Sequence, residues 1–549
     1  MRNTAPVHKN QDLILHIDAL TSEGQGVGRV EGFAVFVPFA LAGETVSAHV
    51  IKVTSSYAVA KLIEVMEPSP ERVEPLCPVF YACGGCTVQH LNYRSQLEYK
   101  RQAVADALER IGGFKGIEVL PAIGMDEPWQ YRNKGSFPIG NVGGEISIGF
   151  FSPRSHRLVP TYTCPISDRR VIDTANKVAE WANENRISAY DEQTKRGVLR
   201  HVVVRATQAG GIMAVVVTTT SKLPHSEQLK EKLDAVDSLY HNVNPNDTNV
   251  IFGAEFKLIF GASVLTETVC GNKIIVSPRS FLQVNPLQCE KLYEKAIEYL
   301  NPQPHETIAD LYCGVGTISL LLARRAKRVI GIESVPDAIA DARRNAELNG
   351  LANVDFICGE AEKVLPKRIA DGLRPNAIIL DPPRKGCEEQ VLKAIADSKA
   401  DRIVYISCNP ATLARDLKLL KTHNLTPHLT HPLDMFPHTS HVETIVLLSK
   451  LNAKQHIAVD INMDELDLTA PEKKATYEQI KAYVQEHSGL KVSNLNIAQV
   501  KQKCGITERK NYNTPKSPTA KQPHCPPEKE SAIMAALKHF GMIKSLRRD

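Results

Sequence analysis

The sequence predicts a multidomain chain: a small β-barrel, a central α+β domain, an α/β domain built on a parallel sheet, and a basic helical tail. Its 549 residues are 43% apolar and 23% charged, the composition of a globular protein with several domains. Strand-length apolar runs are broken by glycine near the start but alternate with helical stretches after residue 290. Residues 501–549 carry 11 Lys or Arg and four Asp or Glu, whereas the whole chain has a net charge of +5.

The barrel is predicted over residues 1–66. Several short runs there are rich in β-branched and aromatic residues: LILHIDAL, FAVFVPFA, ETVSAHVIKV and YAVAKLIEV. GQGVG and LAGE supply turns between them. Short strands at this density indicate a small closed sheet. The following MEPSPERVEP holds three prolines among charged residues and is typical of a linker.

The central domain is predicted over residues 67–290. It begins with a cysteine-bearing loop and a helix over 91–111, whose apolar residues recur at helical spacing. Alternating segments follow and predict strands: ISIGF, VLRHVVVR and GIMAVVVTTT. Helix and strand signals that are mixed in this way favour an α+β domain.

Residues 291–450 are predicted to form the α/β domain, and 451–549 the tail. Apolar runs alternate with helical stretches: TIADLYC, RVIGIE, VDFICG, NAIILD, RIVYISC and HVETIVLLS. This alternation predicts a parallel sheet with helices on both faces, and the last strand is expected at an antiparallel edge. In the tail, helical patterns at 474–487 and 530–541 flank a proline- and lysine-rich stretch, 510–530, that is expected to be a flexible linker.

The chain is expected to be soluble and cytoplasmic. It has no apolar run long enough to cross a membrane, and its first residues lack the apolar stretch of a secretory signal. The twelve cysteines are then unlikely to form disulfides. A sequence pI of about 8.5 permits an acidic partner such as nucleic acid but does not require one.

A glycine turn and an acidic residue predict a nucleoside site in the α/β domain. Asp310 opens DLYCGVG between a strand and a helix, and Gly314 and Gly316 allow a tight turn, as in Rossmann-like folds. Glu333 ends the next strand, where a carboxylate accepts hydrogen bonds from ribose hydroxyls. Without a third glycine for a pyrophosphate, the pattern favours S-adenosylmethionine over a dinucleotide. A generic turn with a surface glutamate is the alternative.

Three further strand ends place chemistry-bearing residues at the same sheet edge. Asp-Pro-Pro-Arg384 follows the fourth strand, where methyltransferases that modify exocyclic amines often carry an aromatic residue instead of arginine. Cys408 follows the fifth strand and Glu443 begins the last one. A thiol that adds to C6 of uracil makes C5 nucleophilic toward a methyl donor, and a nearby base must then remove the C5 proton. An inert core thiol and a solvated edge glutamate are the alternatives.

A cluster of three cysteines predicts a metal site in the central domain. Cys77, Cys83 and Cys86 fall within ten residues, with two glycines between the last two. Zinc and iron–sulfur clusters both accept four thiolates, and the spacing does not distinguish them. Cys164, which precedes a proline in the same domain, is a candidate fourth ligand. Buried reduced thiols are the alternative, although they leave the Cys-Gly-Gly-Cys turn without a reason.

The combined motifs resemble one family. SFLQVNP, DLYCGVG, DPPRKG, SCNP and HVETI, in this order and spacing, resemble RNA uracil-5 methyltransferases over roughly residues 8–450. The resemblance implies that Cys408 is the nucleophile and Glu443 the proton acceptor. It also implies an S-adenosylmethionine site formed by Gln283, Tyr312, Glu333 and Asp381. It further implies a 4Fe-4S cluster bound by Cys77, Cys83, Cys86 and Cys164. The barrel resembles a TRAM domain, an OB-like module that binds RNA.

The expected function is S-adenosylmethionine-dependent methylation of a uridine at C5 in 23S rRNA, giving 5-methyluridine. The barrel and the cysteine cluster resemble the ribosomal branch of the family, whereas the transfer-RNA branch typically lacks both. A tRNA methyltransferase, a non-catalytic iron–sulfur RNA-binding protein and an amine methyltransferase are the alternatives. Phosphate contacts are expected from lysines of the tail, for which a solvated appendage is the alternative. They are also expected from four central basic residues, although each of these alone is more often a solvated surface charge: Arg132, Lys134, Arg200 and Arg205.

Overall fold

The structure, a computed structural model, describes residues 5–450, 477–504 and 525–540. The chain divides into two compact units, residues 1–455 and 456–549. Within the described ranges, every helix is too short or too polar to span a bilayer. The boundaries predicted inside the first unit, at residues 66 and 290, stay predictions.

The first unit begins with a closed five-stranded barrel in the order β1-β2-β3-β5-β4. Its strands are β1 (Asp12–Leu20), β2 (Gly26–Val30), β3 (Phe33–Val37), β4 (Thr45–Val53) and β5 (Tyr57–Glu67). Leu15 and Ile17 are buried inside, while His16 between them faces out. A Cβ at Gly28 would lie 2.5 Å from the carbonyl oxygen of His16, so this glycine permits the close approach of β2 to β1. The predicted barrel is confirmed.

The central part is a mixed sheet covered by helices. It comprises α1 (Tyr93–Arg110), β6 (Lys134–Val142), β7 (Glu145–Phe151), β8 (Leu158–Pro160), α2 (Arg169–Glu184), β9 (Leu199–Ala206), β10 (Ile212–Thr218), α3 (Ser226–Lys232), β11 (Ser238–Val243), β12 (Glu255–Gly261), β13 (Leu265–Val269) and β14 (Asn272–Val276). Seven strands form one sheet in the order β12-β11-β10-β9-β6-β7-β8, and β13 and β14 form a hairpin. Helix α2 buries Trp181 and Val178 against one face of the sheet.

A seven-stranded sheet of order β17-β16-β15-β18-β19-β21-β20 follows. Its elements are α4 (Pro286–Leu300), β15 (Thr307–Leu311), α5 (Thr317–Ala323), β16 (Arg328–Glu333), α6 (Pro336–Leu348), β17 (Val354–Cys358), α7 (Ala361–Ala370), β18 (Ala377–Leu380), α8 (Glu389–Asp397), β19 (Arg402–Ser407), α9 (Pro410–Lys421), β20 (Leu425–Leu433) and β21 (Glu443–Lys450). Strands β15 to β19 are parallel. The Rossmann-like architecture is therefore confirmed.

One detail of this sheet differs from the prediction. Strand β21 is antiparallel as expected, but it lies between β19 and β20 and is not the edge. The edge strand is β20, which the hydrophobic pattern missed because LTPHLTHPL contains two prolines and two histidines. Proline cannot donate to a ladder, so it is tolerated at an edge.

The region before the central sheet packs onto the sheet formed by β15 to β21. Helix α1 shares a core with the outer helices of that sheet, and Lys421 of α9 lies over the ring of Phe114 at 5.0 Å. The backbone at Val119 and Ile123 bridges to β20 in parallel. The segment from α1 to Ile123 therefore packs against β20, the strand that precedes the loop before Glu443.

The second unit has its own small core. Its described helices are α10 (Tyr477–Ser488), α11 (Asn494–Lys503) and α12 (Pro527–His539). Ile480, Val484, Ile497 and Ile533 are buried together among them. Helices α10 and α12 match the two predicted patterns, and α11 was not predicted. Most of the expected linker, at 510–524, lies outside the described residues, while its end at 527–530 forms the first turn of α12.

Candidate active site

The predicted site residues meet at one edge of the sheet formed by β15 to β21. A cavity of about 1180 Å³ is lined by all six residues assigned to methyl-donor binding and catalysis: Gln283, Tyr312, Glu333, Asp381, Cys408 and Glu443. Strands β15, β16, β18 and β19 are parallel, so the residues that end or follow them share one edge. Because β21 is antiparallel to β19, its first residue reaches the same edge.

The glycine turn after β15 is held in left-handed backbone conformations. Tyr312, Gly314 and Gly316 have φ values of 63°, 55° and 84°. A Cβ at Gly316 would lie 2.9 Å from the ring of Phe356, whereas one at Gly314 would meet no atom within 4 Å. Gly314 therefore presents open backbone beside the cavity.

Glu333 is fixed at the end of β16 by backbone and hydroxyl donors. Gly314 N donates to its Oε2 at 3.2 Å, and Val335 N and the Ser334 hydroxyl donate to its Oε1 at 2.9 and 3.1 Å. A carboxylate oxygen can accept two hydrogen bonds, so Oε2, which accepts one here, keeps a lone pair for a ribose hydroxyl. A carboxylate held in this way fits the nucleoside half of S-adenosylmethionine as a hydrogen-bond acceptor.

Gln283 and Tyr312 line the cavity from two different elements. Gln283 is half-buried in the segment before α4, whose N-cap Asn285 accepts from Gln288 N at 3.2 Å. The Tyr312 hydroxyl donates to Glu362 Oε1 at 3.3 Å, and burial raises its pKa. Neither residue has a local sequence signal; only the family resemblance selected them.

Cys408 and Glu443 are adjacent across two strands. Ser407 of β19 pairs with Thr444 of β21, and the next step of this antiparallel register brings residues 408 and 443 opposite each other. Cys408 is half-buried in the turn before α9, whose N-cap Asn409 accepts from Ala411 N at 3.0 Å. Glu443 is only 3% exposed. A thiol and a carboxyl group therefore face one cavity from neighbouring strands.

The electrostatics of this pair work against ionisation. Burial raises the pKa of the Glu443 carboxyl, and the nearby Asp381 raises it further. Burial also raises the pKa of Asp381. The pKa of Cys408 is raised to about 11, first by burial and then by both carboxylates, while Arg384 acts in the opposite direction. A carboxyl group whose pKa is raised in this way is a stronger proton acceptor when ionised.

Arg384 stands out among the cations that line the cavity. Arg279 donates to the carbonyl oxygen of Ala254 at 2.7 Å, and Lys385 pairs with Glu388 at 3.1 Å. In the described part of the chain, the Arg384 guanidinium has no hydrogen-bond or ion-pair partner. Its carbonyl oxygen accepts from Asn409 Nδ2 at 3.4 Å, which ties it to the turn that carries Cys408.

The four predicted ligand cysteines line a second cavity, of about 430 Å³. Gly85 N donates to Cys83 Sγ at 3.3 Å, and Gln89 reaches two of the cysteines: its Oε1 accepts from Cys77 N at 2.7 Å and its Nε2 donates to Cys86 Sγ at 3.8 Å. Burial raises the pKa of Cys83 to about 11 and also raises that of Cys77 and Cys86. The neighbouring Cys164 thiol also raises the pKa of all three cysteines.

The predicted metal site is not apparent in the arrangement of the described side chains. Across residues 5–450, 477–504 and 525–540, no group of three or more His, Cys, Asp or Glu side chains is arranged to hold one metal ion. The 4Fe-4S cluster that the family resemblance implies on these cysteines therefore stays a prediction.

The expectation for two basic residues was wrong. Arg200 and Arg205 are only 6% and 5% exposed. Arg200 lies over the Tyr190 ring and donates to the carbonyl oxygen of Asn244, while Arg205 donates to that of Ser280. Both guanidinium groups are used inside the fold and cannot reach a phosphate. Arg132 and Lys134 line the cysteine cavity.

Several residues of the two cavities escaped the sequence analysis. Phe281 is 72% exposed at the wall of the larger cavity, and Phe436 lines it from the loop before β21. Gln89 contacts the cysteine loop, as described above. The aromatic residue two positions before Gln283 in SFLQVNP is a sequence signal that could have drawn attention to Phe281, whereas Phe436 and Gln89 have none.

Comparisons with known proteins agree with the geometry. The family described as tRNA (Uracil-5-)-methyltransferase matches residues 215–451, and the TRAM domain matches residues 9–63. An uncharacterized RNA methyltransferase of Halalkalibacterium halodurans is 47% identical over 82% of this chain and 100% of its own length. One of Clostridium tetani is 43% identical over 83% of this chain and 100% of its own.

A solved structure extends this similarity. The tRNA (uracil-54, C5)-methyltransferase of Pyrococcus abyssi, in complex with S-adenosyl-L-homocysteine, is 32% identical with a TM-score of 0.66. The match covers 79% of this chain and 99% of that one. The similarity is therefore not confined to the catalytic sheet.

Proposed function

Because this chain belongs to the family of S-adenosylmethionine-dependent RNA uracil-5 methyltransferases and carries a TRAM domain, we propose that it methylates C5 of a uridine in 23S rRNA, with Cys408 as nucleophile and Glu443 as base. The observation that carries the proposal is the placement of a thiol and a buried carboxyl group on neighbouring strands, facing the cavity that also holds Glu333.

In the proposed reaction, Cys408 activates the base. Its thiolate adds to C6 of uracil, the C5–C6 double bond opens, and C5 becomes nucleophilic. S-adenosylmethionine, when bound, supplies an electrophilic methyl group. Cys408 is half-buried, so RNA must present an unstacked uridine to reach it.

Glu443 completes the reaction as a proton acceptor. It takes the proton from C5, the C–H electron pair restores the C5–C6 double bond, and the C6–S bond breaks to release the Cys408 thiolate. The raised pKa of Glu443 supports this role because a more basic carboxylate removes a carbon-bound proton more readily. Its burial excludes water that would compete for the site.

The methyl donor is proposed to lie along the glycine turn. Glu333 would accept from the ribose hydroxyls, and Gly314 would allow close approach of the backbone. Gln283, Tyr312 and Asp381 would complete the walls.

A 4Fe-4S cluster is proposed on Cys77, Cys83, Cys86 and Cys164. The shared cavity and the amide donors to sulfur support it, because such hydrogen bonds stabilise cluster sulfurs. The cluster is proposed to shape the domain around it and is given no step in catalysis. Iron and sulfide analysis of protein purified without air tests this proposal; a colourless protein with zinc alone would contradict it.

The choice of 23S rRNA rests on the combination of barrel and cysteine cluster. Transfer RNA is the second candidate, and the similarity to a tRNA uracil-54 enzyme over 79% of this chain favours it. Mass-spectrometric mapping of 5-methyluridine in rRNA and tRNA from a strain that lacks this protein distinguishes the two.

Covalent trapping tests the catalytic assignment. RNA with 5-fluorouridine at the target has no C5 proton to remove, so the parent protein with methyl donor should form an adduct stable on a denaturing gel. Cys408→Ser should form none while still binding S-adenosylhomocysteine. Glu443→Gln should accumulate an adduct on ordinary uridine and lose at least about 100-fold in turnover. Normal turnover by either variant would remove that residue from its role.

A further inference from the structure

The loop between β20 and β21 is the structural support of Glu443. Residues 434–442 lead directly into this carboxyl group, and Phe436 within the loop lines the larger cavity. At its centre His438 is only 3% exposed and adopts a φ of 69°, the left-handed region that side chains other than glycine rarely enter. Such a conformation persists only where the surroundings hold it.

The His438 ring is fixed on every side. Gln96 Nε2 lies 3.2 Å from His438 Nδ1, and His438 Nε2 lies 3.1 Å from the carbonyl oxygen of Pro128. The ring stacks on Trp129 with 3.8 Å between centroids. Burial, with Lys100 nearby, lowers the pKa of His438 to about 4. The ring is therefore neutral, with Nδ1 accepting from Gln96 and Nε2 donating to the Pro128 carbonyl.

The backbone of the same loop is held by the residues that follow the cysteines. Thr87 N and Val88 N both donate to the carbonyl oxygen of His438 at 3.1 Å. Ser440 N donates to Thr87 Oγ1 at 2.8 Å. Because Thr87 directly follows Cys86, the cysteine loop (residues 77–88) is hydrogen-bonded to the loop that precedes Glu443.

Other anchors come from the start of α4, where Gln288 Nε2 and Asn285 Nδ2 donate to the carbonyl oxygens of Asp434 and Met435 at 2.9 and 3.1 Å, and from the part of the chain before β6. Lys100 Nζ forms a buried ion pair with Asp434 and donates to the carbonyl oxygen of Phe436 at 3.0 Å. The Tyr131 hydroxyl donates to the carbonyl oxygen of Pro437 at 2.9 Å. By contrast, Cys408 is held by the turn into α9 and by the Arg384 loop, without these residues. The two halves of the catalytic pair therefore have separate supports.

We propose that His438 and Thr87 are positioning residues that set Glu443 against the C5 proton, so that the cysteine loop governs release of the product and not addition of the thiol. This inference rests on the proposed function, in which Glu443 is the base. Loosening the loop would misplace the carboxylate while leaving Cys408 free to attack. The covalent adduct would then wait for a base that is out of reach.

Substitutions in the full-length protein separate the two steps. His438→Gly keeps the backbone conformation accessible but removes the ring, and Thr87→Val removes the acceptor for Ser440. Thr87→Ser keeps that acceptor and is the matched control. Melting temperature, iron content and S-adenosylhomocysteine binding show that each protein is folded and loaded.

The expected signature is a build-up of adduct on ordinary uridine. For His438→Gly and Thr87→Val, turnover should fall about 10- to 100-fold, as for a misplaced catalytic group, while the rate of 5-fluorouridine trapping stays close to that of the parent. Thr87→Ser should behave like the parent. Unchanged turnover, or turnover and trapping that fall in proportion without adduct, would overturn the inference. If Glu443→Gln also accumulates no adduct, the proposed function fails; if it does and His438→Gly does not, only the positioning role fails.

Discussion

Cys408 occupies surroundings that suppress its own thiolate. Burial and two neighbouring carboxyl groups raise its pKa to about 11, and Arg384 is the cation that opposes them. A positive charge stabilises the thiolate relative to the thiol and therefore lowers the pKa. The Arg384 guanidinium thus increases the fraction of Cys408 that is thiolate at any pH below that value.

Replacing Arg384 should shift the pH dependence of adduct formation. In Arg384→Met the pKa of Cys408 rises, so trapping by 5-fluorouridine RNA, which increases with pH, should move to higher pH by about one unit. Arg384→Lys keeps the charge and is the control. The measurement is the trapping rate at saturating RNA across a pH series. A pH profile for Arg384→Met that coincides with that of the parent would show that the guanidinium does not influence the pKa of Cys408.

At the scale of elements, the turn after β15 shows two glycines with different duties. Gly316 packs against Phe356 at a φ of 84°, whereas Gly314 faces open space at 55°. Gly316→Ala should lower the free energy of unfolding by about 1–3 kcal/mol, because strain adds to a clash. Gly314→Ala should have a smaller effect on stability yet weaken S-adenosylhomocysteine binding. Thermal melts and calorimetric titration of both variants check this difference.

The opposite pattern would contradict the assignment of the donor site. If Gly314→Ala binds S-adenosylhomocysteine like the parent, the turn does not approach the ligand. If Gly316→Ala is as stable as the parent, Phe356 moves away without loss and the turn is less constrained than its geometry indicates.

The elements that the sequence predicted are those whose hydrophobic pattern matches their burial in the structure. Strands β15, β16, β18 and β19 are continuous apolar runs, as expected for strands covered on both faces. The edge strand β20 and helix α11 lack such a signal: the first carries prolines, and the second is largely polar. Their formation depends on partners that a local pattern does not contain.

The site followed the same division. Cys408, Glu443 and Glu333 could be selected because their positions at strand ends fix which edge they reach. Gln283 and Tyr312 came only from the family resemblance. His438 and Gln96 are 342 positions apart in the chain and yet hydrogen-bonded, a pairing that tertiary folding alone creates.

At the scale of the whole molecule, the chain consists of two compact units with separate cores. The second unit belongs to the basic end of the sequence, and the family match stops at residue 451. Lys and Arg side chains that neutralise phosphates release counterions, which makes RNA affinity depend on salt. The tail is therefore a candidate contributor to RNA affinity but not to the chemistry.

Removing residues 456–549 tests this division. The first unit keeps its own cores, so the truncated protein should retain 5-fluorouridine trapping and its melting transition. Its RNA affinity should fall, and the slope of log affinity against log salt should become shallower by about 0.7 for each phosphate of a single strand that the tail neutralises in the full-length protein. Filter binding across a salt series measures this slope. An equal slope and affinity would assign the second unit a role other than RNA binding, since charge neutralisation at any phosphate must appear in that slope.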